Sequence, residues 1–458
     1  MLTYELKKAP GVPLYEALYR CLRRDIQAGV LPPGSKLPSK RALAQHLEVS
    51  KITVETAYGQ LLSEGYVFAR EKVGYFVEAG AHPVPPLLPT ELPEEHPAPP
   101  VLNLIANSPA HFPFSVWSKL QREVMLDLGE KLLRPMEQQG CLALRRAIAD
   151  HLAAFRGLIV SPENIVVGAG TDFLYNLLIQ LLGREKCYAV EEPGYEKIRK
   201  IYAAGGVSCI CAPMDSQGVL PNQLSNAQVL HISPSHHFPT GIVTPMGRRQ
   251  ELLSWAQEQG GYIIEDDYDS EFRFHSHPLP ALYSLDRQGR VIYLNTFSKS
   301  LTPAIRISYM VLPDALMDTF RSKLSFYSGT VASFEQYTLA RFLSRGYFEK
   351  HINRMRKFYK ARRNKVVAAL ERCPWRDKIT VWEQDAGLHF LVQVDTDLDG
   401  DALAKIWAEQ GIFVQSLSSF YRGPVPESYR STLVVNYSGL DEGELWRLDT
   451  LPCHIFHP

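Results

Sequence analysis

Thr296-Phe297-Ser298-Lys299-Ser300, with Arg306 seven residues beyond Lys299, is the stretch on which the reading of this chain turns. Upstream of it runs Glu265-Asp266-Asp267-Tyr268-Asp269-Ser270-Glu271-Phe272. A lysine amine can form a Schiff base with an aldehyde. The hydroxyls of Thr296 and Ser298 and the guanidinium of Arg306 suit a phosphate dianion. A carboxylate such as Asp266 can hold a pyridine nitrogen protonated. Aldehyde, phosphate and pyridine meet in one small molecule, pyridoxal phosphate. Arg306 stands between Ile305 and Ile307, and an arginine inside an apolar run needs an anion.

Working outward, strand-like and helix-like runs alternate. Ile165–Gly168 leads into a helix at Gly170-Thr171, where backbone amides at the positive helix end suit a phosphate. Tyr188–Glu191 precedes Tyr195, whose ring can stack on a flat ligand. Val229–Ile232 precedes Ser235-His236-His237-Phe238-Pro239-Thr240-Gly241, Tyr262–Glu265 precedes Asp266 and Tyr268, and Val291–Leu294 precedes Lys299. The alternation predicts an α/β domain with a largely parallel sheet, and ligands of such sheets sit at the carboxyl ends of the strands. Each residue alone has an ordinary structural reading; five strand ends with compatible chemistry are harder to obtain by accident. From Tyr347 a long polar helix and shorter strands predict a smaller α+β lobe. His236-His237 lacks companions at metal-ligand spacing, so no metal is expected.

The opposite end reads differently. Leu14, Leu18, Leu22 and Ile26 have helical spacing, and Ser39 and Ser50 are candidate N-caps for two further helices, the second running from Lys51 to about Ser63. Tyr66–Arg70 and Gly74–Val77 read as a small hairpin. Three helices and a hairpin make a winged helix-turn-helix, expected over residues 1–78. Lys51, Thr53 and Thr56 should face bases in the major groove of double-stranded DNA, while Ser39, Lys40, Arg41, Ser50, Arg70 and Lys72 are placed at the DNA surface, the basic ones for phosphates. Residues 1–78 hold 11 Lys/Arg against 8 Asp/Glu, whereas the whole chain balances 49 against 49. Eight prolines between His82 and Pro100 predict an extended linker over 79–100, leaving 101–458 as the larger domain. Seven scattered cysteines favour reduced thiols. With no apolar run of about 18 residues and no signal-peptide pattern after Met1, a cytoplasmic protein that does not enter the membrane is expected.

On these motifs residues 101–458 resemble a fold type I, aspartate-aminotransferase-like pyridoxal phosphate domain, and residues 10–78 a GntR-type winged helix, through LPSKRALA at 37–44 and VSKITV at 49–54. The fusion resembles the MocR/GabR-type transcriptional regulators. The resemblance implies that Lys299 carries the cofactor, that Asp266 pairs with its ring nitrogen and Tyr268 with its ring hydroxyl, that Tyr195 flanks the ring, and that Gly170, Thr171, Thr296, Ser298 and Arg306 hold its phosphate. It implies an effector-carboxylate role for Arg199 and a head-to-tail, domain-swapped homodimer. The implied function is a regulator that senses pyridoxal phosphate, or an amine or amino acid effector, through a Schiff base at Lys299, with vitamin B6 or amino acid metabolism as the field of control. The alternative is an active aminotransferase carrying a DNA-binding domain. Two departures bear on this. Leu433-Val434-Val435-Asn436-Tyr437 places a valine where the family pattern has its carboxylate-gripping arginine, with Arg430 as the nearest substitute. Asn295 replaces the usual glycine before Thr296.

Overall fold

The computed structural model describes residues 2–4, 6, 13–79, 100–105, 111–224, 226–274, 279–382 and 386–453. Most of the proline-rich segment, residues 80–99, lies outside them. The chain divides into two units, Met1–Ala98 and Pro99–Pro458.

In the first unit, α1 (Leu14–Gln27) packs on α3 (Lys51–Ser63), with α2 (Lys40–His46) completing the trio. Leu18, Leu22 and Ile26 of α1 are buried with Val54, Ala57, Tyr58 and Leu61 of α3, as the 3.6-residue period requires. Both serine caps form: the Ser39 hydroxyl accepts from Ala42 N at 3.2 Å and the Ser50 hydroxyl from Thr53 N at 3.1 Å. Each satisfies an amide that the first helical turn leaves unpaired. Gly65, at φ +74°, turns the chain out of α3 into the antiparallel wing β1 (Val67–Arg70) and β2 (Gly74–Val77).

The second unit is built on an eight-stranded sheet. In spatial order its strands are Ile165–Gly168, Ser308–Val311, Val291–Thr296, Tyr262–Asp266, Val229–Ile232, Cys187–Glu192, Ser208–Asp215 and Gly218–Val219. Five of them, from Val291–Thr296 to Ser208–Asp215, run parallel. Ser308–Val311 is antiparallel to both neighbours, so Ile165–Gly168 again points the way the parallel strands do. The central strands are buried on both faces, which explains their continuous apolar runs. Cys209 and Cys211 lie on strand Ser208–Asp215, and both are only half buried, because that strand lies near the sheet's edge. Helix Tyr347–Leu370 leads into a smaller lobe with an antiparallel sheet of Ile379–Trp382, His389–Val394, Thr432–Asn436 and Gln415–Ser416. No helix among the described residues is long and apolar enough to cross a membrane.

Candidate functional sites: a strand-end pocket and a winged helix

The register brings the expected residues to one edge of the large sheet. Thr296 stands opposite Ser308, Ser308 opposite Gly168, and Leu294 opposite Asp266. Gly170 caps helix Thr171–Leu182 with φ +92°, a conformation open to glycine and poor for other residues. A Cβ there would lie 2.3 Å from Arg306 Nη2, so the guanidinium sits directly against the helix start. The Thr296 hydroxyl accepts from Ser298 N at 3.1 Å and from Ser308 Oγ at 2.8 Å, and donates to Ser298 Oγ at 3.0 Å. Helix amides, two hydroxyls and a guanidinium thus converge. Asn295 does not crowd this loop: its side chain turns back to Thr296 N and the Tyr293 hydroxyl.

Arg306 departs from expectation. It is not embedded between its isoleucine neighbours: Ile307 is buried, but Arg306 takes φ +50° and turns a half-exposed side chain outward. Its anion within the protein is Asp172, 3.4 Å away, which Lys197 also approaches at 2.7 Å.

One helical turn beyond Thr171, the Tyr175 hydroxyl donates to Asp266 Oδ2. His231 Nε2 lies 3.5 Å from the same oxygen, and Tyr202 holds the other His231 nitrogen at 2.6 Å. Asp266 Oδ1 is buried and has no hydrogen-bond partner among the described residues. A buried carboxylate oxygen without a donor is uncommon, and a protonated pyridine nitrogen is the donor it lacks. Lys299 lies on the short helix Phe297–Ser300. Burial pushes its ammonium down, opposed by Asp269, which raises the share of nucleophilic free amine. With the phosphate cradle at one end and the open carboxylate oxygen at the other, these residues fit pyridoxal phosphate.

Around Lys299 lies a buried set of which the sequence reading gave a role to Tyr268 alone. His236 Nδ1 is 2.8 Å from Asp269 Oδ2, and the Tyr268 hydroxyl is 3.3 Å from the same nitrogen. The His389 ring lies 4.7 Å from that of His236. Burial, then His236, His237 and Lys299, drive His389 well below the usual imidazole range. Nothing local marks His389 in sequence; it arrives from the small lobe. Tyr175 was legible in principle, four residues after Thr171 on one helix face.

Tyr195 is half exposed and meets Phe238 edge-on at 5.9 Å. With Arg199, Glu192, Cys211, His231, Phe420 and Arg422 it lines a cleft beside Asp266's partner His231. Arg199 pairs with Glu196 at 3.2 Å. Val434 is buried against Leu391 and Leu417, with Phe238, Trp382, Phe420, Tyr421 and Tyr429 around them. Arg430 does not reach round to replace it: it is half exposed and pairs with Glu427 at 3.3 Å. Among the described residues no cluster of three or more His, Cys, Asp or Glu is placed to hold a metal ion.

In the winged helix, Lys51 and Thr56 are exposed on α3 and Arg41 on α2. Lys72 lies at the wing tip with φ +58°. Thr53 is partly drawn back to its cap, 2.8 Å from the Ser50 hydroxyl, and the Thr56 hydroxyl bonds Ile52 O at 2.9 Å. Arg70 lies over the stacked rings of Phe68 and Phe76. Lys40 is not a free phosphate ligand here: its Nζ is 2.6 Å from Glu55 and lies over the Tyr75 ring at 5.4 Å.

Comparison with known proteins agrees with both units. Residues 14–77 match the model of bacterial regulatory proteins of the gntR family, and residues 99–446 that of aminotransferases class I and II. The chain is 34% identical to the uncharacterized HTH-type transcriptional regulator YdeL of Bacillus subtilis, over 97% of each chain. The chain belongs to the HTH-type transcriptional regulators with a gntR-family head and an aminotransferase-like body. A second member, the HTH-type pyridoxine biosynthesis transcriptional regulator PdxR of Corynebacterium glutamicum, is 33% identical over 88% of this regulator and 87% of its own length. The body of the regulator superposes on the Pyrococcus horikoshii kynurenine aminotransferase, solved with PMP and KYN as substrates, with a TM-score of 0.68 and 26% identity, covering 77% of the regulator and 90% of the enzyme. The regulator is therefore a DNA-binding protein whose body has the fold of pyridoxal phosphate aminotransferases.

Proposed function

We propose that this regulator binds pyridoxal phosphate at Lys299 and uses occupancy of that site to control its grip on DNA. The observation that carries the reading is helix Thr171–Leu182, whose start meets Arg306 and whose Tyr175 fixes Asp266 with one oxygen left open. When bound, the cofactor supplies an aldehyde carbon with which primary amines condense. Asp266 would hold the ring nitrogen, Tyr268 the ring hydroxyl, and Gly170, Thr171, Thr296, Ser298 and Arg306 the phosphate. Tyr195 and Arg199, lining the adjoining cleft, would meet the effector.

Val434 narrows the effector class. Its buried apolar setting offers no arginine fork to a carboxylate. The favoured ligand is pyridoxal phosphate itself, or an amine that does not depend on that clamp. The similarity to PdxR, a pyridoxine biosynthesis regulator, supports a role in vitamin B6 control. The working form is a head-to-tail, domain-swapped homodimer in the cytoplasm. Phe114, Leu126 and Leu133, each about three-quarters exposed, support an unpaired apolar surface on the body. A ligand acts as a switch only through unequal affinity for two arrangements of that dimer.

The test is to load the protein with pyridoxal phosphate, reduce with borohydride and map the peptide that gains a phosphopyridoxyl group. Modification of the Lys299 peptide supports the reading; modification elsewhere, or none, defeats it.

A further inference from the structure

Two residues on one face of α3, Ile52 and Gly59, are not accounted for by packing among the described residues. Ile52, Glu55, Thr56 and Gly59 fall at i, i+3, i+4 and i+7 and form a single exposed stripe. Ile52 is 73% exposed and is not part of the core beneath the helix. A lone exposed apolar side chain is ordinary on a protein surface; this one is informative for its neighbours on the stripe. Gly59 sits in the helix interior, where glycine is less favourable than alanine. A Cβ at Gly59 would meet nothing within 4 Å, so no internal contact demands its absence. An exposed isoleucine and an unexplained glycine on the same stripe indicate a surface that approaches something outside the chain.

Glu55 is the odd member. A carboxylate on a DNA-facing helix is repelled by the phosphates unless its charge is shared and it has a donor to meet. Both conditions are provided for. Lys40 Nζ lies 2.6 Å from Glu55 Oε1, which leaves the second oxygen as an acceptor. Lys40 is itself held by the wing, over the ring of Tyr75, and Tyr75 packs edge-on against the buried Tyr58 of α3 at 5.1 Å. Lys40 is thus a positioning residue for Glu55. In the major groove the amino donors are cytosine N4 and adenine N6; adenine sets the acceptor N7 beside its amino group, which repels a carboxylate, so cytosine is the better partner, and an apolar side chain has one distinctive partner, the thymine methyl.

We infer that Ile52 and Glu55 are base-reading residues of α3, Ile52 packing on a thymine methyl and Glu55 accepting from a cytosine amino group close by. This rests on the DNA-binding reading of the head and adds the half-site content it should select. The open stripe at Gly59 lets the helix backbone come close to the duplex.

The experiment is selection from a random duplex library with the full-length protein, followed by affinity measurements on the winning site. The wild type should select half-sites with a cytosine and a nearby thymine, and changing that cytosine should weaken binding about fivefold or more. Glu55→Gln should shift the selected base from cytosine to adenine, which glutamine pairs with through both edge atoms. Replacing the thymine by deoxyuridine removes only the methyl; it should weaken the wild type several-fold and leave Ile52→Ala unaffected. Both positions are exposed, and circular dichroism and melting will show that the variants fold. Selection of the same base by Glu55→Gln, or equal wild-type affinity for thymine and deoxyuridine sites, overturns the inference while leaving DNA binding intact. Failure of the wild type to bind any duplex overturns the DNA-binding reading as well.

Discussion

Gly170 and Arg306 are in direct contact: the space a Cβ would fill on Gly170 is occupied by the Arg306 guanidinium, 2.3 Å from that position. The contact joins a helix N-terminus to a cation, the pairing on which the proposed phosphate site rests.

Gly170→Ala should disrupt that unit twice over, by the clash and by forcing φ +92° on a residue with a side chain. Backbone strain of this kind costs about 1–3 kcal/mol, or roughly 5- to 150-fold in cofactor affinity if it falls on the bound state. Titration followed by the cofactor's absorbance measures it. Unchanged affinity would remove Gly170 from the phosphate site.

Tyr175→Phe should leave Asp266 without its hydroxyl donor while preserving the packing of the ring. Cofactor affinity should fall about 10- to 150-fold if the loss is felt in the bound state, because a lost hydrogen bond to a charged group is worth about 1.5–3 kcal/mol. Asp266→Asn should fall further, since an amide cannot hold the ring nitrogen protonated. Equal effects of the two would contradict the assignment of the Asp266 carboxylate to the ring nitrogen.

Val434→Arg places a cation among Leu391, Leu417 and the surrounding aromatic rings. An uncompensated buried charge costs about 3–5 kcal/mol, so the melting temperature should drop. Addition of an α-amino acid should restore part of it in the variant and change little in the wild type. Thermal shift across an amino acid panel reads both.

Stability should fall on acidification. Burial and the neighbouring His236 push His237 down to about 3, and burial pushes His351 down to about 4 against its hydrogen bond to Ser300 O. Below pH 6.5 the unfolded chain takes up protons that these folded imidazoles refuse. Each therefore removes up to about 1.4 kcal/mol per pH unit as pH falls from 6.5 towards 4. Denaturant unfolding at several pH values measures the slope, and His237→Phe should flatten it.

Lys72→Ala, at the wing tip, should lower the slope of log affinity against log salt by about one unit without altering the selected sequence. A change in selected sequence instead would mean that Lys72 reads bases.

Much of this was legible in the sequence because local rules and global fold agree. Ser39 and Ser50 cap the helices they precede, and the second of these runs from Lys51 to Ser63, as its sequence predicts. The strand ends could be read because a parallel sheet forces its ligand residues to one edge. What could not be read depends on distance in the chain. His389 reaches Lys299 from the small lobe, and Asp172, far from Arg306 in sequence, is the carboxylate that meets the outward-turned arginine. Lys40 looked free for phosphate because nothing in LPSK announces that Glu55 and Tyr75 will claim it. Such pairings are products of packing, and no local window contains both partners.

The central claim is that Lys299 gates DNA binding through its ligand. The direct measurement is the affinity of the full-length protein for its selected duplex, with and without pyridoxal phosphate, in the wild type and in Lys299→Ala. The expected result is a ligand-dependent change in the wild type that Lys299→Ala abolishes while retaining ligand-free DNA binding. An equal response in the two proteins would contradict the account.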